Sequence, residues 1–488
     1  MSHMKGKAKL TFIEPQGRRG RPFNAWITRW PMLGPITLAT MLKRRGWEAA
    51  VYNENISGPL LENPSAYQEV LASDIVGISI MTSTANRGYR LADRIKSERP
   101  SIRVVFGGVH ATFMPHEAAE HADIVVRGEG ESVIEQIASG ALTSGIIDAQ
   151  PLATLDEIPT LDHSVMYDFE KLFGGLAPHL YELPVMTSRG CPHGCTYCSV
   201  TRMFGRTVRR QSVEKVVQDA RAYRERGFSR LMFYDDNFTT DREWSSEVLR
   251  RLAPLGMRFN AQVRADFHWR DPARKVLDSE LLALMRSAGA NLLFIGYETI
   301  DDDTARDWHK GYRGEGTLAE RLMEDTRILH DHGFWIHGMF VLGPQHTQSA
   351  ARNIVSFARE ARMETLQISV LTPFPGTPLF REMEQHLLLR NFPSDWDFYD
   401  GTHCVYNHSQ LGIEEFQRTV LAAHRQFYRN IFSLNRLMRV MRESIPARDK
   451  VAILRRHFRI ARTTMREWRR ETESFIRFVK EVEPASAL

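Results

Sequence analysis

The chain has 488 residues, 43% of them hydrophobic and 25% charged, with only 4 Cys. That length predicts two to four domains with well-buried cores, and so few cysteines argue against a secreted disulfide framework and for a reducing compartment. The net charge of +5 is uneven: residues 431–488 hold fourteen Lys+Arg against seven Asp+Glu. The basic balance therefore belongs to the tail and gives no reason to expect a nucleic-acid partner.

No run of eighteen apolar residues and no signal-peptide pattern occurs, so a cytoplasmic protein that does not span a membrane is expected. Residues 9–13 open as an apolar strand leading into Glu14-Pro-Gln-Gly17, and a helix follows from Pro31, with Pro35 tolerated near its first turn. Strands are read at 47–52, 75–80, 104–108 and 124–130, with a helix at 85–98. Apolar strands alternating with amphipathic helices predict βαβ units in a doubly wound, Rossmann-like parallel sheet. Such sheets take ligands beyond the carboxyl ends of their strands. Those ends carry Gln16, Ser79, Gly107-Gly108-Val109-His110 and Arg127-Gly128-Glu129-Gly130.

Residues 148–180, rich in Pro and Gly and weakly periodic, read as a linker. From Leu183 the alternation restarts, and Val185-Met-Thr187 feeds Ser188-Arg-Gly-Cys191-Pro-His-Gly-Cys195-Thr-Tyr-Cys198. A C-x₃-C-x₂-C loop can place three thiolates on a [4Fe–4S] cluster and leave one iron open for chemistry. Zinc would want a fourth ligand at a closed site, and the remaining Cys404 is more than two hundred residues away. Five further strands are read, ending in Asp235-Asp236-Asn237, Arg264-Ala-Asp266, Gly296-Tyr-Glu298, Gly343-Pro344 and Thr372-Pro-Phe-Pro.

With Tyr197 immediately before its last cysteine, this loop resembles the cluster loop of the radical SAM superfamily. The early Pro-Met-Leu-Gly34, the Gly-Gly-Val-His110 and the Arg-Gly-Glu-Gly130 resemble the N-terminal cobalamin-binding domain of the radical SAM class that includes the anaerobic porphyrin cyclase and many C-methylating enzymes. The resemblance implies a cobalamin-binding domain at 9–148, a linker at 149–180, a partial (β/α)₆ barrel at 181–400 and a helical region at 401–488. It implies that Cys191, Cys195 and Cys198 ligate the cluster, and that Asp235, Asp236 and Asn237 accept from the ammonium of S-adenosylmethionine. Arg264 would clamp the methionyl carboxylate, Glu298 would meet the ribose, and Gly343 would flank the adenine. Ser79, Gly107, Gly108, His110, Gly128 and Glu129 would line the cobalamin. No Asp-x-His-x-x-Gly occurs, so no histidine is offered to cobalt from below, and His110 is not expected to ligate it.

Three accounts follow. The protein is a cobalamin-dependent C-methylating enzyme, or one that oxidises, cyclises or rearranges its substrate without methyl transfer, or a non-catalytic iron–sulfur or corrinoid carrier. The substrate is expected to be a small molecule, lipid-like or polycyclic, and electrons are expected from a flavodoxin- or ferredoxin-type reductant. Residues 391–402, aromatic and polar, read as a lid, and Cys404 reads as structural or, if exposed, as a hydrogen-atom donor. The tail, with Leu437, Met438, Val440, Trp468, Phe475 and Ile476 among arginines, reads as basic amphipathic helix that either docks on an anionic membrane surface or packs on the barrel.

Overall fold

The structure, a computed structural model, describes residues 7–18, 30–173, 178–387, 396–429 and 447–486. Two six-stranded sheets organise it, both wholly parallel.

The first sheet contains β1 (Lys9–Glu14), β2 (Glu48–Asn53), β3 (Ile75–Ser79), β4 (Arg103–Gly107), β5 (Ile124–Gly128) and β6 (Gly145–Ala149), in the order β2-β1-β3-β4-β5-β6. The order reverses between β1 and β3, and ligands of open α/β sheets sit at such a switch point. Helices cover both faces, so the inner strands are buried nearly end to end; this is why β1 and β3 read as continuous apolar runs. β6 is a strand that the sequence reading did not identify, at the boundary between the N-terminal domain and the linker. It lies at the sheet edge and is largely exposed, so no burial pattern marks it.

The segment after β6 packs closely. Leu155, Ile158, Leu161, Val165, Met166 and Leu172 are all buried. Short 3₁₀ turns carry them, which gives neither the helical nor the strand period. They fill the seam between the helix Leu33–Arg44 and the helix Val213–Glu225. Polar ties fix the seam: Thr40 Oγ1 accepts from Asp162 N–H at 3.1 Å, and the Tyr223 hydroxyl accepts from Leu161 N–H at 3.1 Å. One apolar core therefore runs through both sheets.

The second sheet follows β7 (Glu182–Val185), with a two-stranded hairpin of β8 (Ser188–Arg189) and β9 (Arg209–Arg210) rising from it. Then come β10 (Arg230–Phe233), β11 (Arg258–Val263), β12 (Ala290–Glu298), β13 (Trp335–Leu342) and β14 (Thr365–Val370). The order β14-β13-β12-β11-β10-β7 is strictly sequential, the arrangement of an open (β/α)₆ barrel. Along β13 and β14 fully buried residues alternate with half-buried ones. The buried set faces the covering helices and the half-buried set faces the barrel interior.

The helical tail partly packs inward. Trp468, Phe475, Ile476 and Val479, on the helix Ala447–Ser486, are buried, and Trp468 meets His424 of the helix Ile413–Tyr428 edge-on at 4.1 Å. Leu437, Met438, Val440 and the first part of the expected lid, 391–395, lie outside the described residues. From Trp396 onward the supposed lid is anchored on the N-terminal domain, where the Trp396 indole N–H donates to Glu117 at 3.0 Å. Among the described residues no helix is long and apolar enough to cross a membrane.

Candidate active site

The three cysteines sit on the turn between β8 and β9. Gly190 makes that turn possible: at φ +97° a side chain there would be strained, and its Cβ would lie 2.4 Å from the Thr207 carbonyl oxygen. Cys191 N–H donates to the Gly205 carbonyl at 3.3 Å, and Arg206 donates to the Pro192 carbonyl at 3.1 Å. Cys191, Cys195 and Cys198 are free thiols and half-buried. Burial pushes the Cys198 thiol up to about 11, with Cys195, Asp236 and Cys191 adding to the rise. Cys191 is pushed up by burial too, and Asp236 and Cys195 act on it in the same direction. These mutual effects place the three thiols in one electrostatic neighbourhood with Asp236. Among the described residues no three His, Cys, Asp or Glu side chains converge as on a single ion. A cubane does not need that convergence, because each of its irons takes one thiolate, so the three-thiolate donor set fits a [4Fe–4S] cluster.

Asp235 and Asp236 separate in role. Asp235 is completely buried and accepts from Thr187 N–H at 3.2 Å, from the Thr187 hydroxyl at 2.9 Å and from the Ser188 hydroxyl. It braces the junction of β7 with the cluster loop. Asp236 is half-buried and faces the cysteines, and burial together with the Asp235 charge pushes its carboxyl up to about 7. A cation placed beside it would relieve that cost. Asn237 is buried and accepts from the Thr239 hydroxyl at 3.3 Å.

Arg264 spends its fork on Asp266, at 2.9 and 3.0 Å, and reaches the carbonyls of Lys310 and Gly311 at 3.3 Å. Glu298, at φ +65° beyond a bulge at the end of β12, pairs with Lys310 at 3.0 Å. Lys310 was not singled out by the sequence reading, nor were its neighbours. The loop Trp308-His309-Lys310-Gly311-Tyr312 runs beside the cluster loop: Thr196 N–H donates to the Trp308 carbonyl at 3.3 Å, and the Tyr197 ring meets Trp308 edge-on at 5.7 Å. Gly343 packs against the same indole, its Cβ position lying 3.1 Å from Trp308. A lysine set among aromatics and glycine after a barrel strand was the available signal.

In the N-terminal domain, Gly107 and Ser79 end adjacent strands in register. A Cβ on Gly107 would enter open space, so backbone is presented where a large flat ligand could approach. Gly108, at φ +92°, is packed instead: its Cβ would lie 2.8 Å from the Ile80 carbonyl oxygen. His110 is fully buried, 3.2 Å from Glu117 and edge-on to Trp396 at 5.1 Å. Gly128 N–H donates to the Thr112 hydroxyl at 3.1 Å, and Glu129 is paired with Arg189 and Arg209. The structure thus brings Cys191, Cys195, Cys198, Tyr197, Asp236, Arg264 and Glu298 around one barrel mouth, and it turns His110 and Glu129 to protein partners. Cys404 is fully buried, its thiol donating to the Tyr406 carbonyl at 3.4 Å.

A doubly wound domain is docked on an open parallel barrel, with a three-thiol loop that fits a [4Fe–4S] cluster at the barrel mouth. A B12 binding domain model matches residues 28–138 and a Radical SAM superfamily model matches residues 185–358. The chain thus carries a B12-binding domain followed by a radical SAM domain. It is similar to the bacteriochlorophyllide d C-12(1)-methyltransferase of Chlorobaculum tepidum, with 27% identity over 89% of this chain and 91% of that protein. It is similar also to the anaerobic magnesium-protoporphyrin IX monomethyl ester cyclase of Rubrivivax gelatinosus, with 24% identity over 86% of this chain and 78% of that protein. The solved structure of the cobalamin-dependent S-adenosylmethionine radical enzyme OxsB with aqua-cobalamin bound shares the fold, with TM-score 0.65 and 15% identity over 94% of this chain and 72% of that one.

Proposed function

We propose that the protein C-methylates an unactivated carbon of a polycyclic substrate, using a [4Fe–4S] cluster, S-adenosylmethionine and cobalamin. The observation that carries the reading is the pairing in one chain of the open-iron cysteine loop, facing Asp236, with strand ends at Gly107 that leave backbone uncovered. The bound groups would supply an electron for cleavage of S-adenosylmethionine and a carrier for its methyl group. Cys191, Cys195 and Cys198 would hold the cluster, and the Asp236 carboxylate would pair with the methionyl ammonium. Arg264 and Lys310 are already paired with Asp266 and Glu298, so each would meet the methionyl carboxylate only by sharing its donors with that partner.

Two relatives, the methyltransferase and the cyclase, are named for work on bacteriochlorophyllide d and a magnesium porphyrin, which supports a cyclic tetrapyrrole as substrate class. The cyclase also supports a second reading, ring formation without methyl transfer. A flavodoxin- or ferredoxin-type reductant fits because, Cys404 being buried, no cysteines remain for a second cluster of the protein's own. A cytoplasmic location fits the oxygen sensitivity of such a cluster. Peripheral membrane contact gains nothing from residues 468–479, whose apolar side chains are turned inward.

The test is anaerobic reconstitution with iron, sulfide and hydroxocobalamin, followed by incubation with S-adenosylmethionine, a strong reductant and a bacteriochlorophyllide. Methylation yields a product heavier by one methylene unit, with S-adenosylhomocysteine alongside 5′-deoxyadenosine. Production of 5′-deoxyadenosine without S-adenosylhomocysteine would select the second reading.

A further inference from the structure

The chemistry proposed above gives no role to a buried charge cluster between the two sheets. Glu129 and Glu131 follow β5 in the N-terminal domain and are 4% and 8% exposed. Arg189, 8% exposed, ends β8 two residues before Cys191, and Arg209 stands opposite it in the β8–β9 hairpin. Arg189 spreads its fork over both carboxylates, one N–H group on Glu129 and another on Glu131 at 2.6 Å. Arg209 places its own fork on the two oxygens of Glu129, one of them at 3.2 Å.

Two carboxylates and two guanidiniums balance in charge, yet burying each ion costs several kcal/mol before pairing, and an apolar patch would hold the domains at lower cost. What forks add is geometry. A guanidinium meets a carboxylate in one plane and one register, whereas apolar side chains can slide. The network also joins two particular places: the end of a strand beside the candidate corrinoid surface, and the hairpin that carries the cluster cysteines.

We propose that Glu129 and Glu131 are positioning residues that hold the cluster hairpin in register with the corrinoid domain through Arg189 and Arg209, and that Glu129 does not touch the corrinoid. This rests on reading the cysteine loop and the N-terminal sheet as the two cofactor sites. Because these four side chains join the strand end of one site to the hairpin of the other, occupancy of one is expected to stabilise the other, and the effect is reciprocal.

The experiment uses the full chain, with and without its reconstituted cluster, and hydroxocobalamin as the probe. Wild-type protein is expected to bind hydroxocobalamin about fivefold or more tightly when the cluster is present. After reduction, electron paramagnetic resonance is expected to show one well-defined dipolar interaction between cob(II)alamin and the reduced cluster. In Glu129→Gln and in Arg209→Gln the affinity ratio falls towards one and the distance distribution broadens, while both groups still bind. Arg209→Lys keeps the charge, loses the fork and behaves like Arg209→Gln. Variants that retain the wild-type ratio and distance distribution overturn the proposal. So does loss of hydroxocobalamin in Glu129→Gln with unchanged coupling in Arg209→Gln, because that makes Glu129 a corrinoid contact. If Glu129→Gln does not fold, Arg209→Gln decides alone, since its side chain is only partly buried. Wild type that takes up both groups without mutual tightening defeats the proposal alone; wild type that takes up no corrinoid defeats the functional reading as well.

Discussion

Asp235 accepts hydrogen bonds from both the backbone and the hydroxyl of Thr187, so the first carboxylate after β10 is committed to bracing the cluster loop and the second, Asp236, is left facing the thiols. The two neighbours respond differently to the same change. Asp236→Asn weakens S-adenosylmethionine binding by about 1 to 3 kcal/mol, the range for removing a charged hydrogen-bond partner from a buried site, and leaves the melting temperature and iron content unchanged. Asp235→Asn lowers the melting temperature and the iron content instead. Calorimetric titration and thermal melts on reconstituted protein separate them. The reverse pattern would exchange their assignments.

Any one of Cys191→Ala, Cys195→Ala or Cys198→Ala removes a third of the protein's hold on the cluster. Iron content drops from about four per chain, and 5′-deoxyadenosine formation is lost. Cys404→Ala retains both, because its thiol is buried against Tyr406. A loop variant that cleaved S-adenosylmethionine at the parent rate would refute the ligand set.

The barrel strands and the inner strands of the first sheet were legible because a parallel sheet covered on both faces writes itself as short apolar runs, such as Leu231-Met-Phe233 and Leu292-Leu-Phe-Ile295. β6 was not, having one partner strand and an exposed flank. The cluster loop was legible because its ligands are adjacent in sequence. The pairing of Arg189 with Glu129 spans sixty residues and that of Trp396 with Glu117 spans 279, and no local pattern encodes such contacts. Asp235 and Asp236 were legible as a pair but not individually, because successive residues at a strand end point to opposite sides. The same holds for Gly107 and Gly108, which look alike in sequence and differ in what surrounds them.

That difference sets the test of the corrinoid surface. Gly108→Val puts a branched side chain at φ +92°, against the Ile80 carbonyl oxygen, and is expected to destabilise the domain whatever binds there. Gly107→Val projects into open space and has no such cost. It is expected to lower hydroxocobalamin affinity tenfold or more while the melting temperature of the apoprotein stays put. Unaltered corrinoid binding in Gly107→Val would move the ligand away from the β4 end.

Glu14, at the end of β1 beside the switch point, gives a prediction in pH. Its carboxylate accepts from Met32 N–H at 3.0 Å and from the Asn53 side chain at 2.6 Å, yet burial outweighs these donors and pushes the group up to about 7 from 4.5. Below about pH 4.5 the proton is held in both the folded and unfolded chain. Between there and about 7 the folded chain keeps a proton that the unfolded chain has released, so this contribution to stability falls as pH rises and is gone above the folded value. The full span, from 4.5 to about 7, is worth at most about 3.5 kcal/mol at 1.36 kcal/mol per pH unit. Glu14→Gln cannot titrate, and its carbonyl oxygen can stand in for Oε2, which accepts from both Met32 N–H and the Asn53 side chain. Wild type is therefore expected to lose stability relative to the variant between pH 5 and pH 8, a comparison in which every other titrating group cancels. Melting curves of the apoprotein across that range measure it, and two profiles that ran parallel would show that Glu14 is already ionised at pH 5 and that its three donors, Asn55 among them, outweigh its burial.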